Sequence, residues 1–174
     1  MPPVVVRRAR VGDADALHRL SLDAIASSAV GHYDDRQRAA WAARRTREGH
    51  RWLVTATTTF VAVDGEDVAG FASVALHRVG VLQEGEVDQL FVDPRHGGRG
   101  VARLLLDAVA RAAVAAGLRE LVTHASWRAV PVFERAGFRQ VAEETVDLDG
   151  VVLTRALMRR ALGEARTDPL TSSG

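Results

Sequence analysis

The sequence predicts an α/β (α+β) fold, with helices flanking a sheet that has both parallel and antiparallel neighbours. Three observations predict it. Residues 86–106, EVDQLFVDPRHGGRGVARLLL, read as strand, glycine turn and helix. A further strand, Glu120 to Ala125, follows after Gly117, and so short a return implies parallel strands joined by a right-handed crossover. Asp64-Gly65 and Asp149-Gly150 each join two apolar runs, the signal for an antiparallel hairpin.

Taken in order, Val4 to Arg8 is a short first strand. Asp13 is an N-cap for a helix from Ala14 to about Ala29, with Leu17, Leu20 and Ala24 on one face. After a break at 31–35, Asp34 caps a second helix carrying Trp41, with Gln37 in the capping-box position. Gly49 interrupts it, and a short helical segment covers Arg51 to Thr57. Thr59 to Val63 and Val68 to His77 are strands, and Val79 to Gly85 is a loop. The central strand, Val87 to Val92, ends at Asp93-Pro94, because proline lacks the ladder N–H. The helix after it buries Val101, Leu104, Leu105, Ala108, Val109 and Ala112, while Arg103, Asp107 and Arg111 face solvent. A short helix spans Arg128 to Ala136, then strands run from Phe138 to Leu148 and from Val151 to Met158.

Size and composition narrow the class. The chain has 174 residues, near one domain, assigned to residues 1–162; the polar stretch 163–174 reads as a disordered tail. A net charge of +1 argues against a nucleic-acid partner held by bulk charge. There are no cysteines, so thiolate catalysis and disulfides are excluded. With no apolar run long enough for a membrane and no signal-peptide pattern, a cytoplasmic protein is expected; frequent Ala and Arg suggest a bacterial genome of high GC content. His32, His77 and His96 show no metal-ligand spacing, so no metal is expected.

The glycine turn has a chemical use. The first N–H groups of a helix lack partners and carry the positive end of its dipole, and glycines let a ligand approach them. That makes an anion site suited to phosphate; a plain strand-to-helix turn would use the same glycines. A nucleotide P-loop needs Gly-Lys-Ser/Thr, where this chain has Gly98-Arg99-Gly100-Val101, and a dinucleotide motif needs a third glycine where it has Arg103.

Arg95-His96-Gly97-Gly98-Arg99-Gly100-Val101-Ala102, preceded by Leu90-Phe91-Val92, resembles the acyl-CoA-binding motif R/Q-x-x-G-x-G/A of the GNAT family of N-acetyltransferases. Ala125 to Phe138, ASWRAVPVFERAGF, resembles the family's later motif, A-x-x-F-Y-E-x-x-G-F. With its flanks, the resemblance covers about residues 4 to 160. It implies the GNAT fold, a twisted central sheet of about six to seven strands flanked by helices, with acetyl-CoA as cosubstrate. It places Leu90, Phe91 and Val92 along the pantetheine arm, with the Leu90 N–H at the thioester oxygen. It puts the pyrophosphate on Arg95 to Ala102, hence on Gly97, Gly98, Gly100, Val101 and Ala102, with Arg95 and Arg99 available for charge. Leu90 and Val92 can also be core, since these contacts use backbone.

Acetyl transfer to an amine also needs a base. On a regular strand Glu86 and Asp88 share one face with Leu90 and Val92, and an inward carboxylate needs a task or a partner. Asp88 is favoured over Glu86, whose alternative is a strand end reaching solvent. His124, ending the neighbouring strand, is a third candidate or a structural histidine. Many family members have a tyrosine before the glutamate of the later motif to protonate the leaving thiolate; Phe133 stands there instead, as in a poorly characterised bacterial subgroup. Phe133 is placed at the CoA thiol end, and Ser126 replaces a frequent asparagine and can still bond to the CoA arm. The resemblance makes Tyr33, Asp34, Asp35, Trp41, Asp147 and Asp149 possible acceptor-site lining, although cap and turn roles also explain the acidic ones. The expected partner is a small-molecule amine, and the resemblance makes a homodimer reasonable. A non-catalytic acyl-CoA-binding or sensing module, or an enzyme acting on protein lysines or N-termini, are the alternatives.

Overall fold

The structure, a computed structural model, describes residues 3–28 and 31–163; the expected tail, beyond Gly163, lies outside these residues. The elements are β1 (Val5–Arg8), α1 (Ala14–Ser28), α2 (Asp35–Ala43), α3 (Arg47–Ala56), β2 (Thr58–Asp64), β3 (Asp67–Val74), β4 (Glu86–Val92), α4 (Val101–Ala115), β5 (Glu120–Ala125), α5 (Val130–Arg135), β6 (Arg139–Leu148) and β7 (Val151–Ala161). The seven strands form one sheet in the order β1-β2-β3-β4-β5-β7-β6. Among the described residues only β4 and β5 pair in parallel.

Helices cover both faces. The apolar stripe of α4, with Leu105, Leu106, Val109 and Ala113, packs with Ala72, Val74, Val87 and Leu121 of the sheet. On the other face, Leu17 and Leu20 of α1 and Leu53 and Val54 of α3 pack with Val61 and Phe71. Each such fully buried side chain contributes about 1.5–3 kcal/mol.

Two local expectations change. The third helix starts at Arg47, because the Thr46 side chain accepts from the Gly49 N–H at 2.9 Å. Gly49 therefore lies in a capped first turn and does not interrupt a helix. Asp13, expected to cap α1, turns back instead: its carboxylate takes both Arg7 guanidinium nitrogens at 2.8 and 2.9 Å and the Arg10 N–H at 2.7 Å. The Arg7 hydrogen bond is the main reason the Asp13 carboxyl lies below the ordinary aspartate range. A carboxyl lowered by folding stabilises fully above its unfolded pKa and loses that contribution as pH falls through its folded pKa. Arg7→Met is therefore expected to melt below wild type at neutral pH, with the gap closing as pH falls below the ordinary aspartate range, as read by thermal unfolding across pH.

A third change decides the site. Ser73 lies opposite Gln89 and Val74 opposite Val87, so Asp88 is an extra residue, a β-bulge in the middle of β4. The expectation that Glu86 and Asp88 share a face with Leu90 and Val92 assumed a regular strand and does not hold. Before the bulge the alternation reverses. Val87 joins Leu90 and Val92 against the α4 core, and Glu86 falls on the opposite face.

Candidate active site

β4 and β5 pair only at Glu86 with Val122 and Val87 with Thr123. Beyond these positions the strands part, and a cleft of about 1560 Å³ opens between them. Drug-sized ligand sites are about 300–1,000 Å³, so this one has room for two reactants. The cleft is lined by Leu90, Phe91 and Val92 of β4, by Gly97, Gly98, Gly100, Val101 and Ala102, and by Ser126 and Phe133. Glu86, Asp88, His124, Tyr33 and Trp41 line it as well.

The parted strand offers bare backbone. The Asp93 N–H donates to the Ala69 carbonyl of β3, and Phe91 lies opposite Phe71. N–H direction alternates along a strand, so Leu90 and Val92 turn theirs away from β3 into the gap.

At the next turn Gly98 and Gly100 have φ of 74° and 76°, where any other residue is strained, and a Cβ on either would meet nothing within 4 Å. α4 starts at Val101 with no side-chain cap on Gly100. The result is an open cradle beneath unmet helix N–H groups, which suits a phosphate group.

The two arginines expected at this turn are turned elsewhere and do not line the cleft. Arg95 folds back on Asp93, with Nη2 to Oδ2 at 2.7 Å, and Arg99 donates to Asp64 at 2.6 Å. Asp64, at the end of the first hairpin, also lies 3.3 Å from Nε2 of the buried His96. This pairing locks the loop in shape. The cations that do line the cleft near α4 and α5 are Arg103, Arg128 and Arg135. Arg103 stays on the solvent face where the sequence placed it, 3.9 Å from Asp107, and its position in the first turn of α4, beside the glycines, also brings it to the cleft.

At the far end of β4 the bulge brings three titratable groups together. Glu86 is 9% exposed. Its Oε2 accepts from the Gln83 N–H at 3.0 Å, and its Oε1 lies 3.8 Å from His124 Nε2. His124 Nδ1 is 2.6 Å from Glu144 Oε2, which also accepts from Arg155 at 3.2 Å. Burial pushes the Glu144 carboxyl up, but the bond from His124, with Arg155 behind it, outweighs this and holds it below the ordinary glutamate range. The four side chains make a continuous polar chain, of which Glu144 and Arg155 were not anticipated. The outcome for the two carboxylates is the reverse of the one expected. Glu86 does not reach solvent at a strand end, whereas Asp88, pushed out by the bulge, is exposed in the cleft mouth.

Among the described residues no group of His, Cys, Asp and Glu is placed to hold a metal ion. No described helix is long and apolar enough to cross a membrane.

Comparison with known proteins places this architecture. Residues 30–161 match the family model described as acetyltransferase (GNAT) domain. The chain is 31% identical to the uncharacterized N-acetyltransferase YafP of Escherichia coli, over 91% of this chain and 97% of that protein. The chain belongs to the GNAT acetyltransferase family. Its fold matches the crystal structure of a GCN5-related N-acetyltransferase from Rhodopseudomonas palustris, with a TM-score of 0.82 and 26% identity over 93% of this chain and 98% of that one. It also matches PaiA N-acetyltransferase from Thermoplasma acidophilum, solved in complex with coenzyme A, with a TM-score of 0.73 and 13% identity over 92% and 99% of the two chains.

In this GNAT chain Phe133, which the sequence resemblance sets at the tyrosine position of the later motif, is 3% exposed and edge-on to Phe138 at 5.1 Å. The single tyrosine, Tyr33, does not offer a free hydroxyl in its stead. It donates to the Thr154 carbonyl at 3.0 Å and accepts from the Trp127 N–H at 3.2 Å. Burial raises its pKa. Tyr33 braces the cleft wall, edge-on to Trp41 at 5.7 Å. The four acidic candidates for the acceptor wall do not line the cleft. Asp34 caps α2 through the Gln37 N–H at 2.7 Å, Asp35 pairs with Arg38, Asp147 accepts from the Gly150 N–H at 2.6 Å, and Asp149 pairs with Arg44 at 3.3 Å.

Proposed function

We propose that this GNAT protein moves an acetyl group from acetyl-CoA to the primary amine of a small molecule. The observation that carries the reading is the parted, bulged β4. It joins a bare glycine cradle at one end of the cleft to the Glu86–His124 pair at the other. The cradle fits a pyrophosphate, since nothing crowds Gly98 or Gly100 and the helix N–H groups above them lack a cap. That PaiA N-acetyltransferase, which shares the fold, was solved in complex with coenzyme A supports a CoA ligand here.

Acetyl-CoA supplies an acetyl group activated as a thioester. In this reading Gly97 to Ala102 hold the phosphates, Arg103, Arg128 and Arg135 balance their charge, and the β4 edge orients the arm. The Leu90 N–H faces the oxygen that gains charge during transfer. Ser126 and Phe133 border the arm near its thiol end. Asp88, exposed at the bulge, receives the acceptor as an ammonium ion, and Glu86 takes its proton with His124 and Glu144 behind it. The amine then attacks directly; with no cysteine in the chain, no thiol carries the acetyl group. A single domain over residues 1–162, a cytoplasmic bacterial setting and a homodimer complete the reading, supported by composition and family.

Asp88→Asn is expected to raise the KM for the amine about tenfold or more while kcat falls by less, because a charge contact to the substrate is lost and the base remains. Steady-state kinetics over amine concentration reads this. A lower kcat with KM unchanged would move Asp88 from binding into proton transfer.

Phe133 favours one other reading, a module that binds acyl-CoA without turnover. Calorimetric titration with acetyl-CoA, followed by thiol release against small amines and lysine peptides, separates the two. Binding with release to a small amine supports the enzyme. Binding with no release supports the module, and no binding removes both.

A further inference from the structure

The acetyl-transfer chemistry leaves Arg45, a cation with a buried guanidinium nitrogen, without a task. Arg45 lies in the short connection between α2 and α3 and lines the cleft. Its guanidinium carbon is 5.8 Å from the centroid of the Phe91 ring, which lies 6.1 Å from that of Trp41. Its Nε is buried and has no hydrogen-bond partner. Neighbouring arginines are matched, Arg38 with Asp35 and Arg44 with Asp149, but among the described residues no carboxylate lies within ion-pair distance of Arg45. Burial lowers its pKa, and the charge of Asp88 works the other way.

Arg45 is half-buried with its Nε shut off from water, and a cation so placed without a paired carboxylate is destabilising, so this one needs a reason beyond folding. The guanidinium fork matches a carboxylate in two parallel hydrogen bonds. Its place in the fold indicates whose anion it meets. Phe91, under Arg45, stacks with Phe71 on the sheet face covered by α1 and α3. The glycine cradle opens at α4, on the opposite face. The phosphates of CoA are therefore held on one side of β4, and Arg45 waits on the other, with Asp88 as its nearest acidic influence. We infer that Arg45 receives a carboxylate of the acceptor, so that the substrate is an amino acid or a similar small amine bearing a carboxylate, with its ammonium group at Asp88. Trp41, beside it, walls the pocket that takes the substrate's side chain.

The inference rests on the acetyl-transfer reading, and the test separates their failures. Phenylalanine, leucine and histidine are compared with phenethylamine, isopentylamine and histamine, which differ from them only in lacking the carboxylate. Thiol release from acetyl-CoA is followed with wild type, Arg45→Met and Arg45→Lys. Wild type is expected to favour at least one amino acid over its amine by about tenfold or more in kcat/KM. Arg45→Met should remove that preference by raising the KM for the amino acid, leave the amine unaffected, and melt no lower than wild type. Arg45→Lys should restore part of it. Equal or better use of the amines by wild type overturns the inference. So does an Arg45→Met variant that loses acetyl-CoA affinity, which would assign Arg45 to the cosubstrate. If no compound is acetylated, the transfer reading fails by itself, and calorimetric titration of the same pairs into CoA-loaded protein decides the carboxylate site. Tighter binding of an amino acid, lost in Arg45→Met, supports it; equal or absent binding overturns it.

Discussion

Gly98→Asp is expected to fold and to lose acetyl-CoA. Gly98 has a φ of 74°, and a residue with a Cβ costs about 1–2 kcal/mol there. For a chain of this size that lowers Tm by roughly 2–8 °C, which a stable domain survives. The larger effect is on the ligand. A Cβ at Gly98 meets no protein atom within 4 Å, so the new carboxylate projects into the space assigned to the pyrophosphate. Like charges at close range, added to a blocked approach to the helix N–H groups, should weaken acetyl-CoA binding by on the order of 100-fold or more. Gly98→Ala carries the same strain without the charge and should keep more of the affinity. Calorimetry of the three proteins reads the series. Retained binding in Gly98→Asp would show that the phosphates lie elsewhere, and the role of Gly97 to Ala102 would fall.

Glu86→Gln is expected to cut kcat by about 10²–10³ while acetyl-CoA affinity changes little, because a general base commonly contributes 10²–10⁴. The glutamine keeps the shape of the side chain and an oxygen for the Gln83 N–H, which now donates to Glu86 at 3.0 Å. What it loses is the ability to take a proton next to His124. Turnover at saturating acetyl-CoA, with affinity measured separately, distinguishes the loss of a base from the loss of a binding contact. An unchanged kcat would take Glu86 out of the mechanism and return the task to Asp88, which is open to the same cleft.

Most of the architecture could be read from local rules. Asp34 and Gln37 form the capping box that their spacing announced, Pro94 ends β4, and Gly65 and Gly150 close the two hairpins with φ of 63° and 84°. These signals are covalent or short-range, so the sequence carries them openly. The site is less legible, because it depends on long-range geometry. The bulge at Asp88 has no glycine or proline to mark it; it appears only when β4 is set beside β3. It reverses the faces of Glu86 and Val87 and exchanges the surroundings of the two carboxylates. Arg99 looked available because its partner, Asp64, is 35 residues away on the first hairpin. Arg45 gave no signal, being one of several arginines after α2, and only its burial without a partner distinguishes it. The cradle was legible because its glycines themselves shape it, whereas the polar chain through Glu144 and Arg155 needed β6 and β7 folded together before it existed.

The central claim is that this cleft passes an acetyl group from acetyl-CoA directly to a small amine. A single-turnover experiment tests it most directly. Purified protein in excess over isotopically labelled acetyl-CoA is mixed with a panel of amino acids and matched amines, quenched over time, and both the small molecules and the protein are resolved by mass. The account predicts label on the amine nitrogen of one acceptor class, free thiol in equal amount, and no acetylated protein at any time. Label remaining on bound acetyl-CoA with every amine, or accumulating on the protein before the product forms, would contradict it.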